Sequence, residues 1–162
     1  MGLEFARVLA DNQSMVFSLA LRFLRDREGA EELAQDVFLQ LYRHFTRIES
    51  PAHATCWLRR AICHRSIDEV RKRKLRPRIG LDEVPEPAGK GSQPDPMLQS
   101  HIRKLVGSLP EKARMVVLLR YQEDLDPAEI SEMLEMPVST VKSHLHRSLA
   151  LLRSKLRQEV CS

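Results

Sequence analysis

The chain has 162 residues, of which 43% are hydrophobic and only 5% are aromatic, and its formal net charge is +4. This length suits one large or two small domains, and the apolar fraction is sufficient for globular cores. The first residues lack the charged region and apolar run of a secretory signal, and no stretch reaches the roughly 18 apolar residues of a membrane span. We therefore expect a cytoplasmic protein without membrane insertion.

The charges are unevenly distributed along the chain. Residues 57–78 contain nine Lys or Arg residues against two acids, and residues 139–157 contain five against none. Residues 1–50 instead contain eight acids against six bases. This pattern predicts two faces that bind nucleic acid and at least one surface for a different partner.

Apolar residues recur at helical spacing in the first part of the chain. They predict helices over residues 8–24, 30–45 and 56–75, with a polar turn at residues 25–29 and a loop at residues 48–55. The second helix has an apolar stripe of Leu33, Val37, Phe38, Leu41, Tyr42 and Phe45. Its other face is polar and mostly acidic, with Glu31, Glu32, Gln35, Asp36 and Gln40.

The third helix separates apolar from basic residues. We expect its inward residues to be Trp57, Leu58, Ala61, Ile62, Ile67 and Val70, and its outward residues to be Arg59, Arg60, Arg65, Arg71, Lys72, Arg73 and Lys74. The basic run at the end of this helix contains more cations than stabilisation of a helix C-terminus requires, which favours binding to DNA phosphates. Trp57 fits two roles equally well, a core residue or a platform for an unstacked base.

Residues 79–96 differ in composition from the rest of the chain. Seven of these eighteen residues are Pro or Gly, four are acidic, and no apolar periodicity is present. The segment therefore predicts a flexible linker between two helical blocks.

The second block predicts helices at residues 97–106 and 111–121, followed by a helix-turn-helix. In that motif Asp126 caps the first helix, Pro137 ends it, and Ser139 caps the next helix. Val141 and Leu145 point inward. The outward residues of the second helix are polar or basic, as a major-groove reader requires: Lys142, Ser143, His144, His146 and Arg147. With no predicted strand or solenoid repeat, the fold class is all-α.

No catalytic or metal-binding pattern is present in the sequence. It lacks a phosphate-binding loop, an HExxH motif and a recognisable nucleophile grouping, so we expect neither an enzyme nor a cofactor. Cys56, Cys63 and Cys161 show no paired CxxC spacing, which favours incidental or buried thiols over a metal site.

Four segments, in order, resemble motifs of the bacterial RNA polymerase sigma factors of the sigma-70 family. Residues 30–39 resemble AEDLxQExFL, residues 57–71 resemble WLxxIAxNxxxDxxR, residues 109–114 match LPxxxR, and residues 138–147 resemble VGTVKSRLHRAR. With a short linker and no further domain, the chain is similar to the compact extracytoplasmic-function (group four) subfamily. The resemblance implies that residues 1–78 form the region 2 domain and residues 97–162 the region 4 domain.

The resemblance also implies three interfaces. Glu32, Gln35 and Asp36 would dock on the clamp helices of the polymerase's largest subunit, where an acidic face suits a basic protein partner. The loop at residues 48–55 and the following helix would recognise and melt the minus-ten element, through Trp57, Arg60, His64, Arg65 and Arg71. The minus-thirty-five element would contact Ser139, Thr140, Lys142, Ser143, His144, His146 and Arg147. Further expected partners are the flap of the second-largest subunit and an anti-sigma factor.

Three residues depart from the family pattern. His64 replaces an Asn, Ser139 replaces a Gly, and His144 replaces an Arg. The first and third substitutions alter expected base contacts. The alternative function is a stand-alone helix-turn-helix regulator, which would need dimer symmetry, but the sequence contains no heptad seam.

Overall fold

The computed structural model describes residues 3–75 and 96–160, and every regular element within those ranges is helical. The predicted all-α class is therefore confirmed. In chain order the α-helices are α1 (Phe5–Leu24), α2 (Arg27–Arg43), α3 (Pro51–Lys74), α4 (Pro96–Gly107), α5 (Glu111–Tyr121), α6 (Pro127–Leu134) and α7 (Val138–Val160), with a 3-10 turn at Phe45–Arg47. They form two compact units, α1 to α3 and α4 to α7. The predicted linker lies outside the described residues, except for Pro96.

The first unit is a bundle of three helices. Helix α1 packs against both α2 and α3, and α2 also packs against α3. Side chains from all three are completely buried at the centre: Val16, Leu19, Phe23, Val37, Leu41, Leu58 and Ile62. Removing this apolar surface from water is the main stabilising contribution. Because each helix buries one face here, the acidic face of α2 and the basic face of α3 are left outward.

The start of α3 differs from the prediction. Residues 51–55, predicted as part of a loop, are the first turns of the helix. Pro51 occupies the first helical position, where its missing N–H costs nothing, and the Ser50 hydroxyl accepts from the His53 N–H at 3.0 Å. Pro51 and the preceding serine therefore form a helix start rather than part of a loop.

The second unit is built around α7. Helices α4, α5 and α6 all pack against it. Met115, Leu119, Ile130 and Val141 are completely buried, and Leu145 packs against the buried cluster of Leu109, Ala113 and Val117. The predicted inward positions of Val141 and Leu145 are confirmed.

The helix-turn-helix has the predicted beginning but a different turn. The Asp126 carboxylate accepts from the Glu129 N–H at 2.8 Å, and the Asp126 N–H donates to the Glu129 carboxylate at 3.2 Å, which completes a capping box. Pro137 was wrongly predicted to end helix α6, which ends at Leu134 because Glu135 adopts a left-handed conformation with φ of 55°. Ser139 was wrongly predicted as the next cap, since α7 already begins at Val138.

Candidate nucleic-acid and protein interfaces

The acidic face of α2 presents the residues predicted to dock on the polymerase. Glu32, Gln35 and Asp36 are all exposed. They lie on the face of α2 opposite Leu33 and Val37, which are buried in the bundle. The carboxylates thus lie on a rigid helix, where their spacing is fixed.

An apolar groove runs beside this face, between α1 and α2. It has a volume of about 640 Å³, and its lining includes Phe5, Phe38, Leu39 and Tyr42. Leu39 is 56% exposed and Tyr42 is 66% exposed. Tyr42 was predicted to belong to the buried stripe, and Leu39 was not singled out. Both positions lie where the stripe turns away from the core, so the side chains are left at the surface.

Aromatic rings define one end of the groove. The Phe5 ring makes edge-to-face contacts with Tyr42 at 5.2 Å and with Phe45 at 5.5 Å between centroids. The start of α1 therefore supports the exposed ring of Tyr42. Sequence reasoning missed this role because it began α1 at Val8, whereas the helix begins at Phe5.

Four residues predicted to contact the minus-ten element share one side of α3. Trp57, Arg60, His64 and Arg71 follow one another at intervals of three, four and seven residues, which brings them to nearly the same angle on a helix of 3.6 residues per turn. Arg60 and Arg71 are exposed, whereas Trp57 and His64 are half-buried. The Trp57 ring lies 6.5 Å from the His44 ring. This partial burial fits an indole that is held by the bundle while one part faces solvent.

The fifth residue of that set, Arg65, faces α2 instead. Its guanidinium lies 3.5 Å from the carboxylate of Asp36, with the two side chains 35% and 52% exposed. A residue predicted to bind DNA and a residue predicted to bind the polymerase therefore form an ion pair with each other.

Arg73 does not point outward as predicted. Its side chain is only 18% exposed, and its guanidinium donates to Asp26 at 2.7 Å and to Glu69 at 3.0 Å. Gly29 makes room for this contact, because a Cβ there would meet the Arg73 guanidinium and lie 2.6 Å from the Asp26 carboxylate. Arg73 thus ties the end of α3 to the turn between α1 and α2.

The second candidate interface is the beginning of α7. Ser139, Lys142, Ser143, His146 and Arg147 are exposed, whereas Thr140 and His144 are half-buried. The exposed residues include two permanent cations and three hydrogen-bonding groups within three turns. This combination suits contacts to phosphates and base edges.

His144 has an unusual electrostatic environment. Its partial burial, the neighbouring Arg147 and then Lys112 all lower the pKa of His144 below its usual 6.5. The imidazole is therefore neutral over more of the pH range than a free histidine. Lys112 lies on α5, and sequence reasoning did not connect it with the reading helix.

The two cysteines within the described residues differ in solvent exposure. Cys56 is exposed and Cys63 is buried, while Cys161 lies outside the described residues. Within the described ranges no three His, Cys, Asp or Glu side chains are grouped as metal ligands. None of the helices in these ranges combines the length and the apolar character needed to cross a bilayer.

The comparisons with known proteins cover both units. The family model for sigma-70 region 2 matches residues 8–76, and that for sigma-70 region 4 matches residues 101–152. The RNA polymerase sigma-E factor of Streptomyces coelicolor is 33% identical, over 95% of this chain and 86% of that protein. The ECF RNA polymerase sigma factor SigW of Bacillus subtilis is 29% identical, over 94% of this chain and 89% of its own length.

Two solved structures share the fold. The sigma factor RpoE of Bartonella quintana, crystallised with the anti-sigma factor NepR, aligns with a TM-score of 0.76 and 19% identity, over 94% of this chain and 96% of that chain. CnrH, in complex with the cytosolic domain of CnrY, aligns with a TM-score of 0.67 and 17% identity, over 95% and 88% of the two chains.

Proposed function

Because the chain belongs to the extracytoplasmic-function sigma factors of the sigma-70 family, we propose that its two units divide promoter recognition between them. As a sigma factor it binds core RNA polymerase and directs transcription initiation at specific promoters, rather than acting as a stand-alone regulator. We assign residues 1–78 to core docking and minus-ten recognition, and residues 97–162 to minus-thirty-five recognition. Its place of action is the cytoplasm, with the polymerase. Sigma factors are initiation factors rather than enzymes, and we infer no catalytic site.

Within the first unit, the observation that best supports separate core-docking and minus-ten surfaces is the contrast between α2 and α3. One face of the first unit is acidic, with Glu32 and Asp36 exposed, while the side of α3 that contains Arg60 and Arg71 is cationic. An acidic surface repels nucleic acid, and a cationic one attracts it. The same small bundle therefore offers one surface to a protein and another to DNA.

The docking surface combines charge with apolar contact. Glu32, Gln35 and Asp36 lie next to the groove that exposes Leu39 and Tyr42. Protein interfaces commonly have an apolar or aromatic centre with a polar rim. This arrangement supports docking of α2 on the clamp helices of the largest subunit.

Recognition of the minus-ten element is assigned to α3. Melting requires that bases leave the duplex, stack on a side chain and remain close to cations that hold the strand. Trp57 supplies the stacking surface, His64 lies two turns further along the same side, and Arg60 and Arg71 supply the charges. Arg65 belongs to this set once its pairing with Asp36 is released.

Recognition of the minus-thirty-five element is assigned to the start of α7. A reading helix enters the major groove by its N-terminal turns, which reach base edges, and later cations meet phosphates. In this order Ser139, Thr140, Lys142 and Ser143 precede His144, His146 and Arg147.

Two further partners complete the proposal. The apolar side chains of Met97, Leu98 and Ile102 are exposed on α4, which supports a contact of the second unit with the flap of the second-largest subunit. An anti-sigma factor would control the protein, a proposal supported by the similar fold of RpoE, a sigma factor crystallised with the anti-sigma factor NepR.

A binding measurement with paired variants tests the docking surface. We expect Gln35→Ala combined with Asp36→Arg to reduce affinity for core polymerase at least tenfold, because it removes one polar contact and reverses one charge at the rim. The matched control is Glu28→Arg, an equal charge reversal at an exposed residue at the start of α2. Circular dichroism checks that both variants fold. Unchanged core affinity of the double variant would exclude this face as the docking site.

A further inference from the structure

The Asp36–Arg65 pair joins two surfaces that have different partners. Asp36 is an exposed member of the acidic face of α2, and Arg65 lies on α3, the helix assigned to the minus-ten element. The 3.5 Å separation allows direct attraction between the two charges. Each group is also open to solvent, so either one can exchange its present partner for another.

In the free protein the pair acts against DNA binding in two ways. A phosphate that approaches Arg65 must compete with the carboxylate already beside it. The same carboxylate repels the phosphate, because like charges disfavour each other across a short distance. Release of Arg65 therefore requires that Asp36 be neutralised or drawn away.

We propose that Asp36 masks Arg65 from DNA in the free protein, and that docking on the core polymerase removes the mask. This inference rests on the proposed docking role of Asp36. When a cation of the polymerase pairs with Asp36, Arg65 loses its internal partner and becomes available to the promoter strand. Core binding and DNA binding then strengthen each other, because such linkage is reciprocal. A half-exposed ion pair limits the effect to about two- to fivefold in affinity.

The free protein provides the first test. The probe is a fluorescein-labelled single-stranded oligonucleotide, with affinity measured by anisotropy at low salt. Asp36→Asn should bind it about two- to fivefold more tightly than the wild type. Glu32→Gln removes the same charge one turn earlier on α2, and within the described residues Glu32 pairs with no cation. It should give a smaller gain.

A double-mutant cycle assigns the gain to the pair. In an Arg65→Gln background, Asp36→Asn should improve binding no more than Glu32→Gln does. An equal gain from both acidic variants, a gain that survives Arg65→Gln, or no gain at all would overturn the mask.

The holoenzyme provides the second test. At saturating core polymerase, Asp36→Asn should no longer bind DNA more tightly than the wild type, because in the wild type a cation of the polymerase already pairs with Asp36. A persistent advantage would overturn the coupling. A protein that fails to bind core polymerase would instead refute the proposed function, and the free-protein measurements would be unaffected.

Discussion

Arg73 has a structural role within a basic run that the sequence predicts to bind DNA. Four consecutive residues, Arg71 to Lys74, are basic, and Arg73 binds both Asp26 and Glu69. Composition cannot predict this role, because it depends on which position of the last turn of α3 faces the α1–α2 turn.

We therefore expect Arg73→Ala to lower the free energy of unfolding by about 1–2 kcal/mol, since it removes charge-assisted hydrogen bonds to two carboxylates. The matched control is Lys72→Ala, at an exposed neighbour, which should change stability by less than about 0.5 kcal/mol. Urea unfolding of the full chain measures both. Equal stability losses would contradict the assignment.

The neighbouring Gly29 gives an independent check on the same contact. Gly29→Ala should be less favourable in the wild type than in the Arg73→Ala background, where the added Cβ no longer meets the guanidinium. Additive effects would show that the glycine does not serve this ion pair.

His144 leads to a prediction about pH. Because burial, Arg147 and Lys112 hold the pKa of His144 below its usual 6.5, the imidazole is mostly neutral at pH 7 and less protonated at pH 6.5 than an ordinary histidine. His144→Arg should therefore tighten binding to a minus-thirty-five duplex at pH 8, and between pH 8 and pH 6.5 it should lose less of this advantage than a histidine of ordinary pKa would predict. The advantage should shrink as the pH falls further and the native side chain gains its proton.

Anisotropy with the labelled duplex across this pH range measures the effect, and His144→Gln, which cannot titrate, is the control. An advantage of the arginine variant that falls steeply between pH 8 and pH 6.5 would contradict the lowered pKa. The reference pKa of about 6.5 alone would have predicted that steeper change.

At the scale of elements, the helix interiors could be predicted and several of their ends could not. Apolar periodicity was enough to identify the seven α-helices found within residues 3–75 and 96–160, and the predicted Asp126 cap gave the start of α6 correctly. The start of α3 was missed because Pro51 serves equally as a loop residue and as a first helical residue. Which of these two roles Pro51 takes depends on the backbone conformation of Ser50, which the sequence alone does not give. The pairing of Arg65 with Asp36 depends on how α2 and α3 pack, which periodicity does not specify.

The Ser50 cap provides a prediction for α3 as an element. Ser50→Ala should lower the free energy of unfolding by about 1 kcal/mol, because the His53 N–H loses its acceptor. Ser50→Asp retains an acceptor and should be close to the wild type. Thermal unfolding compares the two, and equal melting temperatures for the alanine and aspartate variants would show that the cap is not needed.

At the scale of the whole molecule, we propose that two small helical units carry promoter recognition while the polymerase supplies the catalytic chemistry. Each unit buries its own core, which leaves outer faces available for partners. We propose that α2 binds the polymerase, α3 the melted strand and α7 the duplex. The assignment of these faces to their partners is the central claim.

Reconstituted transcription tests that claim most directly. Promoters would first be identified by mapping start sites after overexpression, and run-off transcription would then be measured with core polymerase, with and without the protein. We predict initiation at the mapped sites only when the protein is present, and its loss with the Gln35→Ala and Asp36→Arg double variant. Equal initiation by core polymerase alone, or full activity of that variant, would contradict the account.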